Sequence, residues 1–96
     1  MTAMRNDGEP LKLVVRDTRA KHYLFGRPVG GGDPIDLCFS GGWVTGRYEW
    51  SGEPAERPSF HYSLELIDEG RVAQGVITIP DGAILRWPNP ELNHPQ

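Results

Sequence analysis

Glycine and proline together fill 21 of the 96 positions, and that load limits what the chain can fold into. In a helix interior each glycine costs about 1 kcal/mol relative to alanine and each proline about 3 kcal/mol. Both serve the tight turns that join short strands. Leucine, isoleucine, valine and phenylalanine number 22, enough for one small core. An all-β domain is expected before any periodicity is read.

The periodicity agrees. "IDLCFS" (35–40) alternates, with Ile35, Leu37 and Phe39 on one side and Asp36, Cys38 and Ser40 on the other. Gly41-Gly42 is a two-residue hairpin signal, because both residues tolerate positive φ. "WVTGRYEW" (43–50) returns as the partner strand, and Gly46 within it predicts a bulge or sharp bend. "LKLVVRD" (11–17), "HYLF" (22–25), "FHYSLELI" (60–67), "VITI" (76–79) and "AILRW" (83–87) are further short strand candidates. Between them, "GRPVGGGDP" (26–34) reads as a long loop, and "SGEPAERPS" (51–59), "DEG" (68–70) and "PDG" (80–82) as turns. No window carries a helical stripe and no segment repeats. The expectation is a flexible leader at 1–10, one β-barrel domain of five or six short antiparallel strands at 11–88, and a loosely packed proline-rich tail at 89–96. Its core should hold Ile35, Leu37, Phe39, Tyr62, Leu64, Leu66, Ile77 and Leu85.

Four segments carry a resemblance: "YLFGRPV" (23–29), "GDPIDL" (32–37), "WVTGRYEW" (43–50) and "PDGAILRWP" (80–88). They resemble a group of small bacterial proteins, a domain of unknown function, built on a Gly-Asp-led strand and a Trp-led strand ending in Gly-Arg-x-Glu. More distantly, the strand order is similar to a Src-homology-3-like barrel, which implies that fold. The Ala-Leu-Tyr-Asp-Tyr type of motif that marks that family's proline-peptide groove is missing, so the groove does not carry over.

The formal charge of −3 gives no uniform basic field, but the charge is uneven. Residues 1–34 carry six Lys/Arg against four Asp/Glu, and residues 35–96 four against nine. Lys12, Arg16, Arg19, Lys21 and Arg27 form the basic cluster, with Asp17 among them. Solvated strand-edge charge explains such a cluster; the alternative is contact with nucleic acid. No apolar stretch approaches the roughly 20 residues that span a bilayer, and the first ten residues lack a signal-peptide core. A cytoplasmic location is the expectation.

Among chemically active groups, Cys38 is the single cysteine, so neither an intrachain disulfide nor a cysteine metal site is expected. His22, His61 and His94 show no ligand spacing and no nucleophile–base arrangement. "GGGDP" (30–34) shares only its glycines with a phosphate loop. No catalytic residue, metal or cofactor is expected. The aromatic residues are the better candidates. Trp43, Tyr48 and Trp87, with Arg47, are expected to line a groove for a protein or peptide partner, since rigid aromatics anchor interfaces. Of the two tryptophans flanking "VTGRYE", Trp50 is expected to plug the core and Trp43 to face the partner. Arg47 should pair with Glu49 on one strand face, and Arg86 with Glu65 across strands. The leading function is a small β-barrel binding module, ahead of a nucleic-acid accessory protein and, more remotely, a small enzyme.

Overall fold

The structure, a computed structural model, describes residues 8–66 and 70–94, with the backbone alone at 65 and 66. It is all-β, as the glycine and proline load demands, and no α-helix occurs among the described residues. Two antiparallel sheets form. β1 (Lys12–Arg16), β2 (Arg19–Leu24) and β3 (Arg27–Val29) make a three-stranded meander. β4 (Pro34–Phe39), β5 (Gly42–Glu49), β6 (Ser59–Leu66), β7 (Arg71–Thr78) and β8 (Leu85–Arg86) make a five-stranded sheet in the order β7-β6-β5-β4-β8. Eight strands form among the described residues, against the five or six expected. The one outside every strand candidate is the three-residue β3, inside the segment read as a loop; β8 is the two-residue core of the candidate at 83–87.

The hairpins are closed by unusual backbone. Ser40 and Gly41 both have positive φ (53° and 82°), as do Phe25 and Gly26 (52° and 77°), the requirement of a type I′ turn. The β4–β5 turn is thus Ser40-Gly41, one residue earlier than Gly41-Gly42, because Gly42 already pairs with Phe39. A phenylalanine in the left-handed region costs about 1–2 kcal/mol. At Phe25 that cost is offset by burial of the ring and by the Glu9 carboxylate, which accepts from the Phe25 N–H at 2.6 Å. Gly46 makes no bulge; its register runs unbroken from Ile35 on one side to Tyr62 on the other. The residue is small because the ring of Phe60 lies over it, and a Cβ there would stand 2.6 Å from that ring.

One core joins the sheets: Leu24, Phe25 and Val29 from the meander meet Ile35, Leu37, Tyr48, Phe60, Ile79, Leu85 and Trp87. Two polar bonds cross the same contact. His22 Nδ1 and the Tyr48 hydroxyl lie 2.7 Å apart, and the Trp87 indole N–H donates to the Leu24 carbonyl at 2.9 Å. Of the expected core, Ile35, Leu37 and Leu85 are fully buried, and Tyr62 and Ile77 pack half-buried against it. Phe39 and Leu64 are exposed instead, and the Leu66 side chain lies outside the described residues.

The chain ends are tied down where described. Glu9 bridges Leu85, extending the sheet beyond β8. The tail is not loose: Pro90–Leu92 form one 3-10 turn capped by Asn89, and Leu92 packs against the core. Asn93 then grips the Trp87 backbone at both its N–H and its carbonyl, each at 2.8 Å. No helix of the described residues is long and apolar enough to cross a membrane.

Candidate binding face

Residues opposite each other across an antiparallel ladder point to the same side, so the register sorts the five-stranded sheet into two faces. Ile35, Leu37 and Phe39 share one face with Val44, Gly46 and Tyr48, then with Phe60, Tyr62 and Leu64, and finally with Ala73, Gly75 and Ile77. From Ile35 to Ile77 these positions are apolar apart from the tyrosine hydroxyls; Arg71, at the start of β7, is the charged position on the same face. The meander covers only part of it. Tyr48 is 2% exposed, whereas Phe39 is 63% and Leu64 47% exposed.

Where cover stops, an open depression of about 120 Å³ remains. Phe39 and Leu64 form its rim, Val44 and Ile77 its sides, and Phe60 and Tyr62 its floor. The two rings stack at 6.0 Å and 23°, Phe60 over Gly46 and Tyr62 over Gly75, where each glycine leaves room for a ring lying along the sheet. The site is thus an aromatic floor with an exposed apolar rim, suited to burying an apolar side chain and offering little polar chemistry.

The residues singled out in the sequence fall elsewhere. Tyr48 and Trp87 are in the core, so neither presents a surface to a partner. Trp43 is half-buried on the outer face, beneath the Arg86 guanidinium (4.1 Å from the ring centroid). Arg86 does not turn to Glu65, whose side chain lies outside the described residues. It donates to Asp36 at 2.9 Å, and Asp36 also accepts from the Thr45 hydroxyl at 2.6 Å. Arg47 is exposed on that outer face, bonded to Glu49 at 3.0 Å as expected. The four proposed groove residues are therefore not brought together. Trp50 is half-buried rather than the plug: it follows the end of β5, its ring 4.3 Å from His22 and its N–H donated to the Glu56 carbonyl. Trp87 takes the central position.

The basic residues do converge, with one exception. Lys12 and Arg16 on β1 share a face with Arg19 and Lys21 on β2, and Tyr23 and Val14 lie among them. Arg16 and Arg19 stand directly opposite each other. Arg27 is turned to the other face, where it donates to the Leu92 carbonyl.

For catalysis the arrangement supplies little. His22 is buried against Tyr48, and His61 is bonded to Ser59. Half-buried Cys38 shares its face with His61, but β5 lies between them and the register sets them four positions apart, about 13 Å along the strand. Among the described residues no group of His, Cys, Asp and Glu is placed to hold a metal ion. Burial, reinforced by the Arg57 charge, lowers the His22 pKa below its ordinary value. Burial pushes the Tyr48 phenol up to about 12. Both shifts belong to the core and keep the bonded pair uncharged near neutrality.

Of the residues that build the depression, Phe39, Tyr62, Leu64 and Ile77 were expected as core, and Val44 and Phe60 were not in that set. Only Phe39 and Leu64 are exposed, and the sequence signal for Phe39 is position: it immediately precedes the β4–β5 turn. No protein-family model, curated protein or solved structure matches the chain. Fold and site together define a small antiparallel β domain with a partly uncovered apolar face.

Proposed function

We propose that this domain is a binding module that takes an apolar segment of a protein partner on the open face of its five-stranded sheet. The observation that carries this reading is the exposure of Phe39 and Leu64 around a floor of stacked aromatic rings. A contiguous apolar patch on a small domain marks an interaction site, and a partner side chain entering it would be desolvated against Phe39 and Tyr62, as interface anchors are. No cofactor and no catalytic step forms part of the proposal.

A second reading rests on a separate observation, the convergence of Lys12, Arg16, Arg19 and Lys21 around Tyr23. That face offers phosphate contacts and one stacking ring, the elements of single-strand nucleic-acid binding. It ranks second because the chain as a whole is acidic.

One experiment separates the two. Wild type, Phe39→Asp and the Arg19→Glu/Lys21→Glu double variant are used as baits in an extract of the native host. Folding of each is checked by near-UV circular dichroism. A protein partner held by wild type and the double variant but lost from Phe39→Asp supports the open face. Retention by Phe39→Asp refutes it, and loss only from the double variant transfers function to the basic face.

A further inference from the structure

The five-stranded sheet ends on one side at β7, an eight-residue strand with β6 as its sole neighbour among the described residues. Ile79 donates to the Pro58 carbonyl at 2.9 Å, which fixes the phase of the β6–β7 ladder. Since hydrogen-bonded and non-hydrogen-bonded pairs alternate, Ala73, Gly75 and Ile77 exchange bonds with β6. The N–H and C=O groups of Val72, Gln74, Val76 and Thr78 point away from the sheet.

The other edges are guarded. β8 has two residues and is bridged by Glu9. β3 has three, one of them Pro28. β1 carries Lys12 and Arg16, which an antiparallel pairing with another β1 would set against each other. Lysine, proline and shortness are the usual protections of an edge. β7 has none of them, and it exposes Val72 by 62% and Val76 by 60% on one face.

We infer that β7 is a self-association edge, pairing antiparallel about a twofold axis with β7 of a second copy of this chain. The sequence is self-complementary in one register. With Gln74 opposite its own counterpart, Val72 faces Val76 of the second copy and Val76 faces Val72. All three pairs fall where the outward groups exchange N–H···O bonds. The two neighbouring registers that still pair those groups set Val76 against Gln74 and Val72 against Thr78, or Val72 against Gln74 and Val76 against Gly70, and both lose the valine contacts. Charge agrees with the choice. Arg71 is the only charged residue of β7, and in this register it stands opposite Ile77, about 20 Å along the strand from its own copy. A twofold axis perpendicular to the sheet also leaves both open apolar faces on one side, so the pair presents two binding sites in the same direction.

The test is sedimentation equilibrium across a concentration series, with amide hydrogen exchange followed by NMR on the same samples. An edge-to-edge contact is small and holds weakly. The average mass is therefore expected to rise from one chain toward two between about 1 µM and 1 mM. Over that range the amides of Val72, Gln74 and Val76 should slow, while those of Ala73, Gly75 and Ile77 stay constant. Val76→Lys should remain monomeric and Phe39→Asp should still dimerise. A chain that stays monomeric at ~1 mM with fast exchange at Val72, Gln74 and Val76 overturns the inference. So does a dimer that survives Val76→Lys, one abolished by Phe39→Asp instead, or a monomer whose β7 accepts only a foreign strand. The exchange measurement needs no variant, so a poorly folded Val76→Lys still leaves a decisive result.

Discussion

The imidazole of His22 is enclosed between Tyr48 and Trp50, and its lowered pKa has a direct consequence for stability. Between that lowered value and the ordinary 6.5, the unfolded chain binds a proton that the folded chain resists. Stability therefore falls as pH drops through this window and levels off below the folded pKa. Thermal melts between pH 7.5 and pH 5 should show a declining Tm, and His22→Gln should flatten that decline. Tyr48→Phe leaves the His22 Nδ1 without its partner and should cost about 1–3 kcal/mol at neutral pH, read by urea unfolding. The two ring-supporting glycines make a second comparison. A Cβ at position 46 meets the Phe60 ring and, at 2.5 Å, the His61 carbonyl, whereas the nearest atoms to one at position 75 all belong to the Tyr62 side chain. Gly46→Ala should cost about 1–3 kcal/mol through overpacking. Gly75→Ala should cost less, because a tyrosine ring can swing aside and a strand carbonyl cannot. A measured cost at 75 equal to or above that at 46 would contradict this account of the floor.

Among the elements, the short tail turn is anchored by a single side chain. Asn93 accepts from the Trp87 N–H and donates to the Trp87 carbonyl, replacing the neighbouring strand that Trp87 lacks. At roughly 0.5–1.5 kcal/mol per bond, Asn93→Ala should destabilise the domain by about 1–3 kcal/mol in denaturant titrations. An unchanged midpoint would show the tail to be an ornament. How far such elements could be read from sequence varied with their kind. β4, β5 and β6 were legible because each alternates and is bounded by turn residues. β3 was not, since "RPV" sits between glycines and gains strand character only by pairing with β2. Asn93 gave no signal because its partner is backbone, which has no sequence identity. Alternation placed Phe39 and Leu64 on the same face as Ile35 but could not say how far the second layer extends over that face. The candidate site lies in that gap: Phe39 and Leu64 were named with the opposite exposure, Tyr62 and Ile77 were named and are half-buried, and Val44 and Phe60 were not named. Tyr48 and Trp87 failed in the reverse sense, because an aromatic side chain with one polar atom looks alike in a groove and in a core that satisfies that atom.

At the scale of the whole molecule, two dissimilar surfaces flank one small core. The basic face of the meander sits on a chain of net charge −3, so its field is local and easily screened. With at most four cations engaged, log affinity for single-stranded nucleic acid should fall against log salt with a slope no steeper than about −3, at ~0.7 per phosphate. Binding at ~150 mM salt should be no tighter than about 1 µM, the strong end of nonspecific association. Anisotropy titrations at several salt concentrations measure both quantities. Submicromolar binding with a steeper slope would mean that more of the surface contacts phosphate than these four side chains.

The indole bond from Trp87 to the Leu24 carbonyl spans the contact between the two sheets, and it gives the molecule a built-in optical gauge. With Trp43 and Trp50 replaced by phenylalanine, Trp87 becomes the sole indole emitter. Its fluorescence should be blue-shifted while the layers are joined and move to the red of a water-exposed indole as they part. Stopped-flow emission from that variant would then time the meeting of the sheets, while circular dichroism times the formation of the strands. A lag between the two signals would reveal hairpins that exist before they find each other.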